Sequence, residues 1–383
     1  MSSVGDILEG KEICICAGSG GVGKTTTSAA IAAGLAAQGK KVVVLTIDPA
    51  KRLADSLGLE ELGNEPRRVD PKLLSDAGAG GEGELWAMML DAKATFDELV
   101  QKHASDEETR DRILGNTIYQ QISGALAGSQ EYMAMEKLFE LHATGEFDVL
   151  VLDTPPSRNA LDFLDAPKRL TQFIEGRSMQ VFMKPTGFGM KMVGRGTSMM
   201  FSVLKRVVGI DLLADLQEFF EAFSGMVGGF QERAKRVTEL LGDPATTFLV
   251  VCGPQGEPIQ EAVYFHRKLV EAELPVGGVV VNKVHYDLDA AGGNGDVEGD
   301  LGKAIKDNDL VSRVAANFED YQALAARDAD NIERLARELK QERVIRVPYL
   351  DEDVHDLVGL LEIDRYLFAE SAAQREAIAA AAA

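Results

Sequence analysis

The chain has few cysteines and no long hydrophobic run. Its three cysteines, Cys14, Cys16 and Cys252, each lie inside a short apolar run, and no CxxC pair occurs. Buried thiols of this kind usually act as small core hydrophobes, so the spacing predicts neither a disulfide framework nor a zinc site and fits a reducing cytoplasm. No run of about 18 apolar residues is present, and residues 1–11 lack the apolar stretch of a signal peptide. No membrane span is therefore expected.

Positive charge is also scarce. The 61 Asp and Glu residues exceed the 40 Lys and Arg residues, which gives a formal net charge of −21. A surface of this sign repels a phosphate backbone, so nucleic acid is not an expected partner. Hydrophobic residues make up 45% of the chain, which is enough for a large buried core.

A glycine-rich loop near the N-terminus gives the strongest motif. It lies between the apolar run Ile13–Cys16 and the helical run Thr26–Gln38. This is the order of a phosphate-binding loop, whose backbone N–H groups and helix N-terminus face phosphate oxygens; a plain glycine turn is the alternative. We expect Lys24 to reach the β- and γ-phosphates of ATP and Thr25 to ligate Mg²⁺. The residues predicted to bind nucleotide here are Gly18, Ser19, Gly20, Gly21, Val22, Gly23, Lys24, Thr25 and Thr26.

Two acidic residues directly follow apolar runs further along the chain, each predicted to be a strand. Asp48 follows one such run and Asp153 follows another, at 148–152. The carboxyl ends of parallel strands meet at one edge of a sheet, so we expect both acids near Lys24 and Thr25 as catalytic residues and magnesium ligands. Asp48 is the candidate to orient the attacking water, and Asp153 to hold the ion or its water shell. The alternatives are an Asx turn before Pro49 and a cap of the turn after Asp153.

Strands alternate with helices along most of the chain. This pattern predicts an α/β fold with a doubly wound, mainly parallel sheet, formed by residues 1–167 and 242–383. A glycine-rich surface loop is expected at 74–83, and helices at 301–314 and 326–341. An alanine-rich helix is expected at the C-terminus, from Glu370 to Ala383.

Residues 168–241 have a different composition. From 168 to 209 there are eight Lys or Arg residues and one acid, with six of the chain's twelve methionines. This predicts a Met-rich helical subdomain inserted into the ATPase domain. Methionine is flexible and polarizable, so the insert is a candidate client-binding surface; the alternative is that the methionines fill an irregular helical core.

Together these motifs resemble the deviant Walker A (SIMIBI-class) P-loop ATPases, the family of the arsenite-translocating ATPase and the tail-anchored-protein-targeting ATPase. The resemblance covers most of the chain and looks strongest to single-P-loop actinobacterial members. It is carried by residues 20–26, 48–50 as switch I, 153–157 as switch II, and Asn282 with the Pro348 region. It implies that Asn282 and the Pro348 region bind adenine, that Asp48 polarises the water, and that Asp153 supports Mg²⁺ and relays loss of the γ-phosphate.

The resemblance also implies two facing nucleotide domains, each giving a second loop lysine to its neighbour's phosphates. Here that position is Ser19. Either a homodimer hydrolyses slowly, or the partner is a paralogue carrying the loop lysine, or another cation substitutes. Switch II departs too, since 157–159 read Ser-Arg-Asn where the family has Thr-Gly-His. The candidate replacement cations are Lys51, Arg52 and Arg158.

The function implied is a dimeric, Mg-ATP-hydrolysing switch that binds or targets hydrophobic, tail-anchored-like membrane protein segments. A membrane-side receptor is a further expected partner, and the protein is expected in the cytoplasm, either free or peripheral at the membrane. Two alternatives stay open. One is the ATPase subunit of arsenite- or antimonite-type anion export, although soft metalloids need clustered thiolates, which the sequence lacks. The other is a nucleotide-responsive assembly scaffold with slow turnover.

Overall fold

The computed structural model divides the chain into two compact units. The first contains Met1–Met89, Thr144–Ala160 and Gly242–Ala383, and the second contains Leu90–Ala143 and Leu161–Leu241. The residues described are 3–48, 51–122, 129–155, 219, 226–287, 297–340, 343–350, 352–371, 373–375 and 377–378.

The first unit is built on one eight-stranded sheet with the order β3-β4-β2-β5-β1-β6-β7-β8. Its strands are β1 (Ile13–Ala17), β2 (Lys41–Thr46), β3 (Arg67–Arg68), β4 (Glu84–Met89), β5 (Val149–Asp153), β6 (Thr246–Cys252), β7 (Val276–Val284) and β8 (Val344–Pro348). Neighbouring strands are parallel except for β3, which pairs antiparallel with β4. Every residue of β1, β5 and β6 is buried, as expected for parallel strands covered on both faces. The predicted mainly parallel α/β sheet is thus confirmed.

Helices of the first unit cover this sheet. In chain order the first unit has α1 (Val4–Leu8), α2 (Lys24–Ala37), α3 (Arg52–Ser56) and α4 (Pro71–Asp76), and later α10 (Gly256–Glu271), α11 (Val297–Ala304), α12 (Asn308–Leu339) and α13 (Leu357–Leu367). The helices between them belong to the second unit and are α5 (Ala92–His103), α6 (Glu107–Gly115), α7 (Thr117–Ile122), α8 (Ser129–Thr144) and α9 (Val227–Leu241). The small side chains of α2 let it lie close to its neighbours. At Gly34 an added Cβ would stand 1.8 Å from Oδ1 of Asp364 on α13, so this contact requires glycine.

Two sequence expectations are corrected in this unit, and one helix had no prediction. The two helices expected at 301–314 and 326–341 are replaced by the short α11 and one 32-residue helix, α12, because no glycine or proline interrupts residues 314–326. The surface loop expected at 74–83 begins inside α4, which Asp70 caps by accepting a hydrogen bond from the Lys72 backbone. Helix α13 was not predicted. It buries apolar residues at three- and four-residue spacing, namely Leu357, Leu360, Ile363 and Leu367.

The second unit is helical in its described part. Phe96 of α5 packs against Tyr119 and Phe230, with ring centroids 5.6 and 5.8 Å apart. A buried carboxylate, Glu136 of α8, accepts hydrogen bonds from Arg233 of α9, so the helices are also joined by a charged pair. Within the described helices of the chain, none combines the length and the apolar character needed to cross a bilayer.

The predicted insert falls largely outside the described residues. Of 168–241, only Phe219 and residues 226–241 are described, so the Met-rich part and the boundary at 167 and 168 stay predictions. The sequence pattern assigns residues 90–143 to the ATPase domain, whereas the structure groups them with 226–241 in the second unit. The alanine-rich helix expected from Glu370 is described only at 373–375 and 377–378, which are helical.

Candidate active site

The loop after β1 needs its glycines for space and for backbone conformation. A Cβ at Gly18 would lie 1.9 Å from the Val251 carbonyl oxygen on the neighbouring strand. Gly21 and Gly23 have φ of +77° and +90°, the left-handed region that glycine adopts without strain. This path delivers the chain directly into α2 at Lys24, so the helix N-terminus opens onto the loop.

Lys24 is folded back onto the loop. Its Nζ donates to the Ser19 carbonyl at 2.7 Å, and only 6% of the residue is exposed. Burial lowers the pKa of Lys24, while the charges of Asp153 and Asp48 oppose that shift. The Ser19 hydroxyl is buried and has no hydrogen-bond partner among the described residues. Ser19 therefore contributes a backbone acceptor here rather than a charge.

Asp153 is the buried centre of the site. Its Oδ2 accepts from the Thr25 hydroxyl at 2.6 Å and from the Thr46 hydroxyl at 2.9 Å. Its Oδ1 is buried without a hydrogen-bond partner in the described part of the chain. Burial raises the pKa of Asp153 to about 6; the two hydroxyl donors and Lys24 act against the rise, and Asp48 adds to it. One carboxylate oxygen thus remains available beside the threonine of the loop.

A hydrogen-bonded chain joins the two predicted acids. The Asp48 backbone N–H donates to the Thr46 hydroxyl at 3.2 Å, and that hydroxyl donates to Asp153. Beyond Asp153, the Thr154 hydroxyl donates to the Cys16 carbonyl at 2.9 Å. Sequence reasoning missed Thr46 and named Thr154 only as part of the switch II motif. Thr46 carried a usable signal, because it is a polar residue at the end of an otherwise apolar strand, two positions before Asp48.

Asn282, near the end of β7, forms a hydrogen bond to the phosphate-binding loop. Its Nδ2 donates to the Val22 carbonyl at 3.0 Å, and its Oδ1 accepts from the Lys283 backbone at 3.0 Å. A Cβ at Gly23 would lie 2.2 Å from Asn282 Nδ2, which is a second reason for glycine there. The predicted contact of Asn282 with adenine stays a prediction; its contact with the loop was not predicted.

A cavity of about 430 Å³ opens over these residues, within the size range of small-molecule sites. The predicted residues that line it are Gly21, Gly23, Lys24, Thr25, Thr26, Asp48, Asn282 and Pro348. Gly18, Ser19, Gly20 and Val22 belong to the same loop, and Asp153 reaches the cavity through Thr25. Unpredicted lining residues include Thr154, Lys283, Tyr349, Glu352 and Asp353.

The candidate replacement cations differ in position. Arg52, the first residue of α3, lines the cavity, and Lys51 is the exposed residue before it. Arg158 lies outside the described residues, as do Pro49, Ala50 and the remainder of the switch II motif after Pro155. Among the described candidates for a replacement cation, Arg52 is therefore the one that lines the cavity.

Comparison with known proteins places this loop and sheet in a family. Residues 11–326, most of the chain, match the model of the anion-transporting ATPases. The chain belongs to this family. An anion-transporting ATPase hydrolyses ATP, so the chain is an ATPase with a P-loop NTPase fold, and the predicted family is confirmed.

Curated relatives agree with this assignment at low identity. An ATPase ASNA1 homolog of Cryptosporidium parvum is 26% identical over 305 residues, covering 77% of this chain and 72% of the relative. ATPase ARSA2 of Chlamydomonas reinhardtii is 27% identical over 292 residues, covering 75% and 72%. ATPase GET3 of Malassezia globosa is 26% identical over 287 residues, covering 73% and 76%. All three are named as ATPases.

Proposed function

We propose that the chain is a dimeric, Mg-ATP-hydrolysing switch that binds or targets hydrophobic segments of membrane proteins. The observation that carries the switch is the hydrogen-bonded chain from Asp48 through Thr46 and Asp153 to Thr25. These hydrogen bonds connect the candidate water-orienting acid, Asp48, to the phosphate loop and to the start of switch II. A carboxylate in that position responds to whatever occupies the loop, as nucleotide switches require.

The residues present fit a magnesium ion. Mg²⁺ prefers oxygen ligands and usually keeps several waters, so a hydroxyl and one or two carboxylates suffice. Thr25 offers its hydroxyl, and Asp153 offers a buried Oδ1 that has no hydrogen-bond partner among the described residues. Thr25, Asp48 and Asp153 would hold the ion or its water shell, and the ion would neutralise charge on the phosphates. Lys24, already inside the cavity, would bind the β- and γ-phosphates.

Asp48 is the residue that we assign to the attacking water. It lines the cavity, whereas Asp153 is 1% exposed and already accepts two hydrogen bonds. Replacing Asp48→Asn should leave ATP binding within about twofold and reduce turnover by orders of magnitude, because an amide is a much weaker base. The measurements are calorimetric ATP affinity and steady-state phosphate release. Asp55→Asn, an exposed acid seven residues along, is the matched control and should keep full turnover.

The proposed client site is the Met-rich part of the insert, residues 168–209, which lies outside the described residues. Support comes from its composition and from the family resemblance. Photo-crosslinking to a transmembrane-segment peptide, in ATP and then in ADP, tests this part. We expect the amount of crosslinked protein to differ between ATP and ADP. The control is a peptide of equal length with a charged, non-hydrophobic sequence, which should not crosslink in either nucleotide. Equal labelling in both nucleotides, or none in either, would remove the carrier role and leave the ATPase assignment intact.

Anion export is the second candidate function. The positions of the cysteines argue against a thiolate site for soft metalloids. Cys14, Cys16 and Cys252 are fully buried in β1 and β6. The hydrogen bond with the neighbouring Cys16 thiol, together with burial, holds the pKa of Cys14 well above its usual value, and burial raises the pKa of Cys252 to about 12. We therefore expect no stimulation of ATP turnover by arsenite or antimonite. Stimulation that survives replacement of all three cysteines would point to an oxyanion site elsewhere.

A further inference from the structure

Among the described residues, three side-chain cations line the nucleotide cavity, and each belongs to a different element. Lys24 begins α2, Arg52 begins α3, and Lys283 lies near the end of β7. Lys24 donates to the Ser19 carbonyl, and loop residues 18–25 contain no other Lys or Arg. Within the described part of the chain, the side chains of Arg52 and Lys283 form no hydrogen bond or ion pair. Both charges are therefore available to an anion in the cavity.

The sheet order places these two cations on opposite sides of the phosphate-binding loop. The loop follows β1, α3 follows β2, and Lys283 lies on β7. β2 and β7 are each two strands from β1 in opposite directions, so each cation comes from a strand end about 10 Å to one side of the loop. Asp153 ends β5, which lies between β2 and β1. Arg52 is thus on the side of the two acids, Asp48 and Asp153, and Lys283 is on the other side.

Helix α3 is packed firmly enough to hold Arg52 at this position. Leu53 and Leu57 are buried and belong to the same hydrophobic cluster as the buried residues of α2. The Asp55 N–H donates to the Lys51 carbonyl at 2.8 Å, which closes the first turn. Arg52 itself is exposed and lines the cavity. A supported helix therefore presents one unpaired charge to the nucleotide site.

We propose that Arg52 is a catalytic residue whose guanidinium contacts the γ-phosphate of ATP and stabilises the negative charge that develops on it during hydrolysis. This inference rests on the proposed roles of Lys24 and Asp48. A γ-phosphate between that lysine and the water-orienting acid lies on the β2 side of the loop, where Arg52 is and Lys283 is not. The planar N–H groups of a guanidinium match phosphate oxygens in pairs.

The step that Arg52 assists is attack of water on the γ-phosphorus. The water oxygen forms a bond to phosphorus while the bond to the bridging oxygen breaks, and ADP leaves with the electron pair. Asp48 takes up the proton that the water loses. Charge spreads over the phosphoryl oxygens in the transition state, and an arginine placed on them is worth about 10³- to 10⁵-fold in kcat. The loss of Arg52 should therefore lower kcat more than it weakens ATP binding.

Steady-state phosphate release gives kcat and KM for wild type, Arg52→Ala and Arg52→Lys. We expect Arg52→Ala to lower kcat about 100-fold or more, with KM for ATP within about threefold. Arg52→Lys keeps the charge but loses the planar fork, so its kcat should lie between the two. The matched control is Lys51→Ala, which removes the same charge from an exposed neighbour that does not cap α3 through its side chain. An unchanged kcat in Arg52→Ala, or an equal loss in Lys51→Ala, would overturn the proposal.

A transition-state mimic separates catalysis from a structural role. Calorimetry compares the affinity for ADP alone with the affinity for ADP and aluminium fluoride, which imitates the phosphoryl group in transfer. Arg52→Ala should bind ADP like wild type and lose at least about tenfold of the affinity gained with aluminium fluoride. Lys283→Ala, which removes a charge from the other side of the cavity, should keep that gain. Equal losses in both variants, or a loss of ADP affinity as large as that of the mimic, would overturn the proposal.

Lys24→Ala identifies failure of the underlying site. It should weaken ATP binding and abolish turnover, because it removes the phosphate contact on which the site is built. If Lys24→Ala hydrolyses ATP like wild type, the proposed site itself fails. If Lys24→Ala is inactive while Arg52→Ala keeps both its kcat and the aluminium fluoride gain, only the inference about Arg52 fails.

Discussion

Asp364 on α13 makes the stability of the sheet unit depend on pH near neutrality. Its Oδ1 lies against Gly34 of α2, and in the described part of the chain that oxygen has no hydrogen-bond partner. Burial raises the pKa of Asp364 from 3.8 to about 7, and the nearby charge of Arg365 opposes the rise only in part. The folded protein therefore holds a proton at pH 5 to 6 that the unfolded chain has released.

The sign of the effect follows from this difference. Below about pH 4 the carboxyl is protonated in both states, and the free energy of unfolding is at its highest with respect to this group. It falls as the pH rises toward about 7, since folding must then take up a proton, and stays low above that value. At 1.36 kcal/mol per unit, the shift sets an upper limit of about 4 kcal/mol. Water reaches the partly buried side chain, so we expect about 2 kcal/mol at pH 8.

Asp364→Asn removes the titration with little change of shape. Urea unfolding followed by Trp86 fluorescence suits the test, because Trp86 is the single tryptophan and lies in β4 of the same unit. We expect the variant to match wild type near pH 4 and to be about 2 kcal/mol more stable at pH 8. Glu338→Gln, an exposed acid on α12, is the control and should give no growing difference. A stability difference for Asp364→Asn that is constant from pH 4 to pH 8 would refute the reasoning.

Three further substitutions and one control, Gly10→Ala, probe the packing and the loop. Gly34→Ala places a Cβ 1.8 Å from Asp364 Oδ1 and should destabilise the unit by about 1–3 kcal/mol in the same urea assay, whereas Gly10→Ala, with nothing within 4 Å but a φ of +68°, should cost only backbone strain. Thr46→Val removes the hydroxyl between Asp48 and Asp153 and should lower ATP turnover about tenfold or more with ATP affinity kept; unchanged turnover would show that the link is not used. Ser19→Lys should raise homodimer turnover if a missing loop cation limits the rate, and an unchanged rate in single-turnover assays would indicate that Arg52 or a partner already supplies the charge.

The sequence predicted the parts of the site that depend on local pattern. The phosphate loop follows from its spacing and flanks, and Asp48 and Asp153 follow from ending buried strands. The pairing of Asp153 with Thr46 could not be predicted, because it depends on which strands are neighbours. β5 lies between β2 and β1, and Asp153 is the register partner of Thr46 on one side and of Cys16 on the other.

The same limit applies to the edge of the cavity. The family resemblance implied a role for the Pro348 region, but the position of Tyr349 beside His285 depends on the pairing of β7 with β8, which the sequence does not show. The burial of Asp328 could not be predicted, for a different reason. It lies in the middle of a helix that sequence periodicity divided in two, and a buried acid on a helix gives no pattern of its own.

The central position of β5 gives a physical basis for coupling the nucleotide to the rest of the chain. Asp153 receives hydrogen bonds from Thr25 on the loop and from Thr46 on the strand that leads to Asp48, and Thr154 is tied to the end of β1. A ligand that draws the Thr25 hydroxyl away takes one donor from a carboxylate that is 1% exposed, and burial makes that loss costly. Asp153 must then move or find a new partner. Asp153→Asn, which replaces a carboxylate oxygen by an amide group, should therefore lower ATP turnover even where ATP still binds, and turnover equal to that of the wild type would show that this carboxylate is not needed.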